Sequence, residues 1–89
     1  MKYHAKLTEK AKKDLLSLDF VTQKRIKRKL YFYLAQKSPI TYAKKIKNDR
    51  LGDYRFRIGD YRVIFDIDSR GNIVILLILR IKHRKEAYL

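Results

Sequence analysis

Apolar and polar residues alternate most clearly between positions 54 and 65, in the stretch YRFRIGDYRVIF. Its Gly-Asp pair at 59 and 60 favours a two-residue hairpin turn, because glycine adopts the positive φ that such turns need. This turn predicts that Ile58 pairs with Tyr61 and Arg57 with Arg62. One face of the hairpin is then aromatic or β-branched and predicted to be core, whereas the other face carries arginines at 55, 57 and 62.

Apolar residues at helical spacing predict two helices before this hairpin. The opening KYHAKL alternates weakly and suits a first strand, and Thr8 follows as the predicted N-cap of the first helix. Asp19 is the predicted N-cap of the second helix, in which Ile26, Leu30 and Leu34 recur at four-residue spacing. This helix is predicted to end near Pro39, since the residue before a proline resists helical geometry. Two helices joined this closely form an αα-hairpin.

The remaining segments complete an α+β fold. The stretch ITYAKKIKNDRLG is predicted as a basic connector with one short turn, and DSRGN as a turn. IVILLILR is apolar on both faces, which is typical of a central strand. The tail IKHRKEAYL is predicted as a short strand or coil. We therefore expect a single domain over residues 1–89, with a small, largely antiparallel sheet of four to five strands and the αα-hairpin packed on its aromatic face.

Charge limits the classes of partner. The chain has 23 Lys and Arg against 9 Asp and Glu, a formal net charge of +14, which implies a polyanionic partner. It has no cysteine and two histidines, too few for a zinc site by themselves. No signal-peptide core or membrane-length apolar run is present, so we expect a cytoplasmic protein that does not bind membranes. The run KRIKRK in the second helix is interpreted as a solvated outer face, with a phosphate-binding ridge as the alternative.

Two motifs together give a specific resemblance. LGDYRFRIGDYRVIF, followed by ILRIKHRKEAY and preceded by two helices of suitable length, resembles the RelE/ParE superfamily of type II toxin–antitoxin systems, and most closely its RelE branch. The resemblance implies a ribosome-dependent endoribonuclease that cuts mRNA in the A site and needs no metal or other cofactor. In such enzymes the RNA 2′-hydroxyl attacks the adjacent phosphate. A cognate antitoxin with an acidic or amphipathic segment is implied as the inhibitory partner.

The resemblance also assigns roles to the arginines of the hairpin. Arg62 matches the catalytic arginine on the strand after the turn. Arg55 and Arg57 lie where some members have lysines. A pair of arginines facing each other is unfavourable alone, but guanidinium groups stabilise the extra negative charge of a pentacoordinate phosphate. The sequence and the resemblance together predict that these arginines form a clamp for the scissile phosphate.

Basic residues of the connector and the tail extend this predicted site. The expected RNA-binding residues are Lys44, Lys45, Lys47 and Arg50, and the further expected catalytic residues are Lys82, His83, Arg84 and Tyr88. The general base stays open among Lys47, Lys82 and His83, since an arginine remains protonated. Two alternative functions also stay open: a ParE-like inhibitor of DNA gyrase, and a basic module that binds RNA or ribosomes without catalysis.

Overall fold

The structure is a computed structural model that describes residues 2–46 and 52–87. Its two long helices, α1 (Glu9–Leu16) and α2 (Phe20–Leu34), pack on one face of a sheet. The described residues also form a 3₁₀ turn (Pro39–Tyr42) and the one-turn helix α3 (Arg84–Ala87). No helix of the described residues is both long and apolar enough to cross a membrane.

The sheet has five strands in the order β1-β5-β4-β3-β2. The strands are β1 (Lys2–Leu7), β2 (Ala43–Lys45), β3 (Tyr54–Ile58), β4 (Tyr61–Arg70) and β5 (Ile73–His83). β1 pairs in parallel with β5, and the other neighbours are antiparallel, so the sheet is mixed. The α+β fold and the strand number are confirmed, and β5 lies between two neighbours as predicted.

Side-chain caps begin both long helices at the predicted residues. Thr8 Oγ1 accepts a hydrogen bond from the Ala11 amide at 3.1 Å, and Asp19 Oδ2 accepts one from the Thr22 amide at 3.2 Å. Each bond satisfies an amide that has no partner within its helix. The predicted end of α2 near Pro39 is wrong, because the helix ends at Leu34 and the proline instead opens the 3₁₀ turn.

The hairpin between β3 and β4 has the predicted register. Ile58 pairs with Tyr61 and Arg57 with Arg62, around Gly59 at φ 58°. β4 is longer than predicted and continues to Arg70. The predicted turn DSRGN is therefore reduced to two residues, with Gly71 at φ 61°.

Two further sequence interpretations are corrected at the edges of the sheet. Part of the predicted connector forms β2, which pairs with β3 as an edge strand. The predicted strand or coil of the tail is an extension of β5 to His83 followed by α3. Both segments are short and highly charged, so their hydrophobic pattern carries little information.

A stack of aromatic rings fills the core between α2 and the sheet. Phe56 stacks on Tyr33 and on Phe65 with 4.6 Å between ring centroids in both pairs, and Phe65 stacks on Tyr54 at 5.7 Å. Phe56 and Phe65 are fully buried. The predicted aromatic face of the hairpin is therefore the core face, against which the helices pack.

Candidate functional site

Three basic residues follow one another across three neighbouring strands, and we call them the cationic row. Arg57 of β3 pairs with Arg62 of β4, and Arg62 pairs with Lys82 of β5. Neighbouring strands lie about 4.8 Å apart, so the three Cα atoms span about 10 Å. The row lies on the sheet face opposite the helices, because its residues alternate with core residues such as Phe56 and Val63.

Arg62, at the centre of the row, is 2% exposed. Its Nη1 atom donates hydrogen bonds to the carbonyl oxygens of Gly59 at 3.1 Å and Tyr61 at 3.0 Å. The guanidinium group is therefore fixed by the backbone of the hairpin turn. This differs from the predicted clamp of two projecting arginines, because Arg57 is exposed whereas Arg62 turns back to the carbonyls of its own turn.

Carboxylates accompany the basic residues at the β5 end of the site. Lys82 Nζ lies 3.7 Å from Glu86 Oε2, and the Lys82 side chain is 21% exposed. Arg84 Nε lies 3.8 Å from Asp60 Oδ1, and the Arg84 amide donates a hydrogen bond to the Asp60 carbonyl oxygen at 2.7 Å. These contacts connect α3 to both β5 and the hairpin turn.

An ion pair between α1 and β5 lies beside Lys82. Asp14 accepts hydrogen bonds from Arg80 Nε at 2.8 Å, Arg80 Nη2 at 3.0 Å and the Ile81 amide at 2.9 Å. Burial raises the pKa of Asp14, but the bonds from Arg80 and Ile81 and the nearby charge of Lys82 outweigh burial, so its pKa lies below the ordinary value. The same pairing raises the pKa of Arg80. Sequence reasoning missed this pair, since 66 residues separate its members.

A second group of basic residues lies beside the cationic row, toward the β2 edge. Arg55 of β3 pairs with Lys44 of β2, and alternation along β3 places Arg55 on the same face as Arg57. Lys44, Lys45 and Arg55 line a shallow cavity of about 300 Å³. The structure thus brings the predicted residues 44 and 55 to the same face as the row.

Other predicted site residues lie apart from the row or outside the described residues. His83 pairs with Tyr61, whose ring contributes to the core side, and the two rings meet edge-to-face at 5.4 Å. His83 Nδ1 accepts a hydrogen bond from the Lys85 amide at 3.3 Å. The predicted residues Lys47, Arg50 and Tyr88 lie outside the described residues.

No group of three or more His, Asp or Glu residues that could hold a metal ion occurs within residues 2–46 and 52–87. The charges of the cationic row itself are all positive. Such an arrangement can bind and orient phosphates and can stabilise negative charge that develops during a reaction.

Comparison with known proteins agrees with this fold. The family model described as "ParE toxin of type II toxin-antitoxin system" matches residues 5–88. The chain therefore belongs to this toxin family, within the RelE/ParE superfamily. No curated protein matches it.

Solved structures of toxin–antitoxin complexes contain similar chains. A chain of the archaeal RelE–RelB complex from Pyrococcus horikoshii OT3 has a TM-score of 0.68 and 26% identity, over 98% of this chain and 100% of that one. A chain of the RelBE2 complex from Mycobacterium tuberculosis has a TM-score of 0.64 and 25% identity, over 94% and 100%. For the RelB–RelE complex from Methanococcus jannaschii the TM-score is 0.59 and the identity 30%, over 92% and 93%.

Proposed function

We propose that this toxin is a metal-independent endoribonuclease that cleaves mRNA on the ribosome and is inhibited by a cognate antitoxin. The observation that carries the proposal is the cationic row, in which three basic residues from three strands share one face of the sheet. The similar chains in RelB–RelE complexes support a cognate antitoxin as the partner.

The row suits attack of a 2′-hydroxyl on the adjacent phosphate. Arg57 is exposed and can contact a non-bridging oxygen directly, and Arg62 supplies a positive charge that the turn carbonyls already hold in place. A charge that needs no reorganisation stabilises the pentacoordinate transition state more than the ground state. Arg55 and Lys44 extend the positive face for the flanking RNA backbone.

Removal of Arg62 tests this assignment. We expect Arg62→Ala to lower cleavage about 10²–10³-fold, as is typical when one preorganised group that stabilises transition-state charge is lost. Primer extension on ribosome-bound mRNA measures the cuts within codons. Arg70→Ala is the matched control, because Arg70 is an exposed arginine at the far end of the same strand. Wild-type cleavage by Arg62→Ala would remove the assigned role.

Lys82 is the candidate general base that lies in the row, whereas His83 lies on the other side of the sheet. Lys82→Arg separates two roles, because arginine retains the positive charge but does not accept a proton at neutral pH. If Lys82 transfers the proton, we expect Lys82→Arg to lose about 10²-fold or more in cleavage rate, as does Lys82→Ala. Retention of activity in Lys82→Arg alone would show that Lys82 acts through its charge.

Inhibition of DNA gyrase is the second candidate function, favoured by the matching family description, which names the ParE toxin. The two functions make different predictions in a purified system. A supercoiling assay with gyrase should be unaffected by the protein if it is a ribosome-dependent nuclease. Inhibition of supercoiling, together with intact mRNA on the ribosome, would replace the proposed function by this one.

A further inference from the structure

A half-exposed tyrosine lies at the edge of the sheet, close to one end of the cationic row. Tyr42 is the last residue of the 3₁₀ turn and immediately precedes β2. Its backbone is fixed on both sides, because Pro39 at the start of the turn is buried and Ala43 pairs with Phe56 of β3. Tyr42 itself remains 48% exposed.

The ring of Tyr42 forms the outer end of the aromatic stack in the core. Its centroid lies 5.1 Å from that of Tyr33, with 30° between the ring planes, and Tyr33 in turn stacks on Phe56. Phe32 meets the Tyr42 ring edge-to-face at 6.2 Å. Because Tyr33 covers one face and Phe32 part of the rim, the exposed surface of Tyr42 lies on its other face and the rest of the rim. An aromatic face that is held in place and open to solvent can stack on a nucleobase.

Positive charges lie close to this ring. Lys29 Nζ is 5.2 Å from the centroid of Phe32 and 5.4 Å from that of Tyr33, the two rings that Tyr42 contacts. Two exposed lysines follow Tyr42 within three residues, Lys44 and Lys45. Proteins that bind single strands combine cations, which attract the phosphate backbone, with aromatic rings, on which the bases stack. Tyr42 and the nearby lysines have this combination.

The register of the sheet brings Tyr42 to the level of the cationic row. Ala43 pairs with Phe56, and in an antiparallel pair the residue before Ala43 lies at the level of the residue after Phe56, which is Arg57. Neighbouring strands lie about 4.8 Å apart, so Tyr42 is about one strand spacing beyond Arg57 and about three beyond Lys82. β2 begins only at Ala43, so RNA that passes Arg57 reaches the ring by turning around the edge of the sheet.

We infer that Tyr42 is a stacking platform for an unpaired RNA base near the phosphate that the cationic row binds. The inference rests on the proposed function in taking RNA as the ligand of the row, but it concerns binding and needs no cleavage. The row offers only positive charge to the backbone, whereas Tyr42 adds an interaction with a base. Every base has a π-face, so this platform should increase affinity with little preference for sequence.

Fluorescence anisotropy with a labelled single-stranded RNA tests the inference, and inorganic polyphosphate is used as a competing polyanion without bases. Tyr42→Ala removes the ring and Tyr42→Phe retains it. Tyr31→Ala is the matched control, because Tyr31 is a 70% exposed tyrosine of α2 that lines a different cavity, beside β1. Both replaced residues are exposed, so the variants should fold, which circular dichroism and thermal unfolding can verify.

We expect Tyr42→Ala to bind the RNA about fivefold or more weakly, and Tyr42→Phe and Tyr31→Ala to bind within about twofold of wild type. All three variants should bind polyphosphate as the wild type does. The salt dependence of RNA affinity should be unchanged in Tyr42→Ala, because no phosphate contact is lost. Arg57→Ala should instead reduce the slope of log K against log salt by about 0.7, the value for one phosphate contact on a single strand.

Three results would overturn the inference. The first is wild-type RNA affinity in Tyr42→Ala. The second is an equal loss of affinity for RNA and for polyphosphate in Tyr42→Ala, since the ring would then act through the fold or the charges around it. The third is absence of RNA binding by the wild-type protein at low salt. The proposed function can fail separately: a protein that binds RNA through Tyr42 but leaves ribosome-bound mRNA intact has the stacking platform without the nuclease activity.

Discussion

The two faces of the sheet differ in the kinds of residue that are buried on them. On the helix-facing side, stacked rings from Tyr33 to Tyr54 form a continuous apolar layer. On the other side, the buried residues include Ile64, 1% exposed, and the charged Arg62. The first face buries aromatic and aliphatic side chains, whereas the second keeps a positive charge in a fixed position beside exposed basic residues. Substitutions on the first face should therefore change stability, whereas substitutions of the exposed basic residues on the second should change the proposed RNA cleavage or binding.

The largest change in stability should come from the helix-facing side. Phe56→Ala removes the ring between Tyr33 and Phe65, and we expect it to lower the free energy of unfolding by about 3–5 kcal/mol. Urea unfolding monitored by circular dichroism measures this. Phe32→Ala is the control, since Phe32 is 48% exposed and should cost about 1 kcal/mol or less. Equal costs for the two variants would contradict a core centred on the stacked rings.

The ion pair between α1 and β5 should have the next largest effect. Asp14→Asn removes the charged acceptor of three hydrogen bonds, and we expect a loss of about 1.5–3 kcal/mol at pH 7. Asp68→Asn is the control, because the Asp68–Arg70 pair is exposed and should contribute about 0.5 kcal/mol.

The contribution of Asp14 to the free energy of unfolding should fall as the pH is lowered. Its pKa is lowered in the folded state, so its carboxylate stabilises the fold fully above the unfolded value of 3.8, and this stabilisation is lost as the pH falls through the lower folded value. Wild type and Asp14→Asn should therefore converge in stability below about pH 4. A difference that stays constant down to pH 2 would exclude this linkage.

The second face should tolerate little added volume at Gly52. A Cβ atom there would lie 2.8 Å from Ile64 Cγ2 and 2.9 Å from Leu79 Cδ1. We expect Gly52→Ala to cost about 1–3 kcal/mol in the free energy of unfolding. Ser69→Ala, at an exposed position of β4, is the control and should change stability by about 0.5 kcal/mol or less. A neutral Gly52→Ala would show that the second face is loosely packed at Ile64.

The smallest effect on stability should come from Glu86. The same substitution also tests whether the second face of the sheet binds RNA. Glu86→Gln removes a half-exposed carboxylate 3.7 Å from Lys82, so stability should change by about 0.5 kcal/mol or less. Affinity for single-stranded RNA should rise about two- to fivefold at low salt, because Lys82 gains its full charge toward phosphate. Fluorescence anisotropy measures this, with Glu9→Gln on α1 as the control. Unchanged affinity would indicate that Lys82 does not contact RNA.

Sequence patterns predicted the parts of this fold that local chemistry determines. Thr8 and Asp19 are the N-caps as predicted, because a capping side chain acts within three residues. The Gly-Asp turn fixed the register of the hairpin and hence the Arg57–Arg62 pair. The strand β2 was missed, since three residues with two lysines carry no detectable alternation.

The candidate site was predicted less completely, because its geometry depends on contacts between distant residues. Alternation placed Arg62 on the correct face but gave no indication that its guanidinium group returns to the turn carbonyls. The Asp14–Arg80 pair joins two elements whose proximity follows only from the assembled fold. The run KRIKRK was interpreted chiefly as a solvated face, and its lysines and arginines are indeed exposed on α2.

The pairing of β1 with β5 has a consequence for synthesis of the protein. Lys2 pairs with Ile73, so β1 finds its partner only after β5 has also been synthesised. Contacts this far apart in sequence raise the contact order and slow folding. A newly translated toxin therefore lacks this pairing until β5 has been made, an interval in which an antitoxin already present can meet it before its sheet has closed.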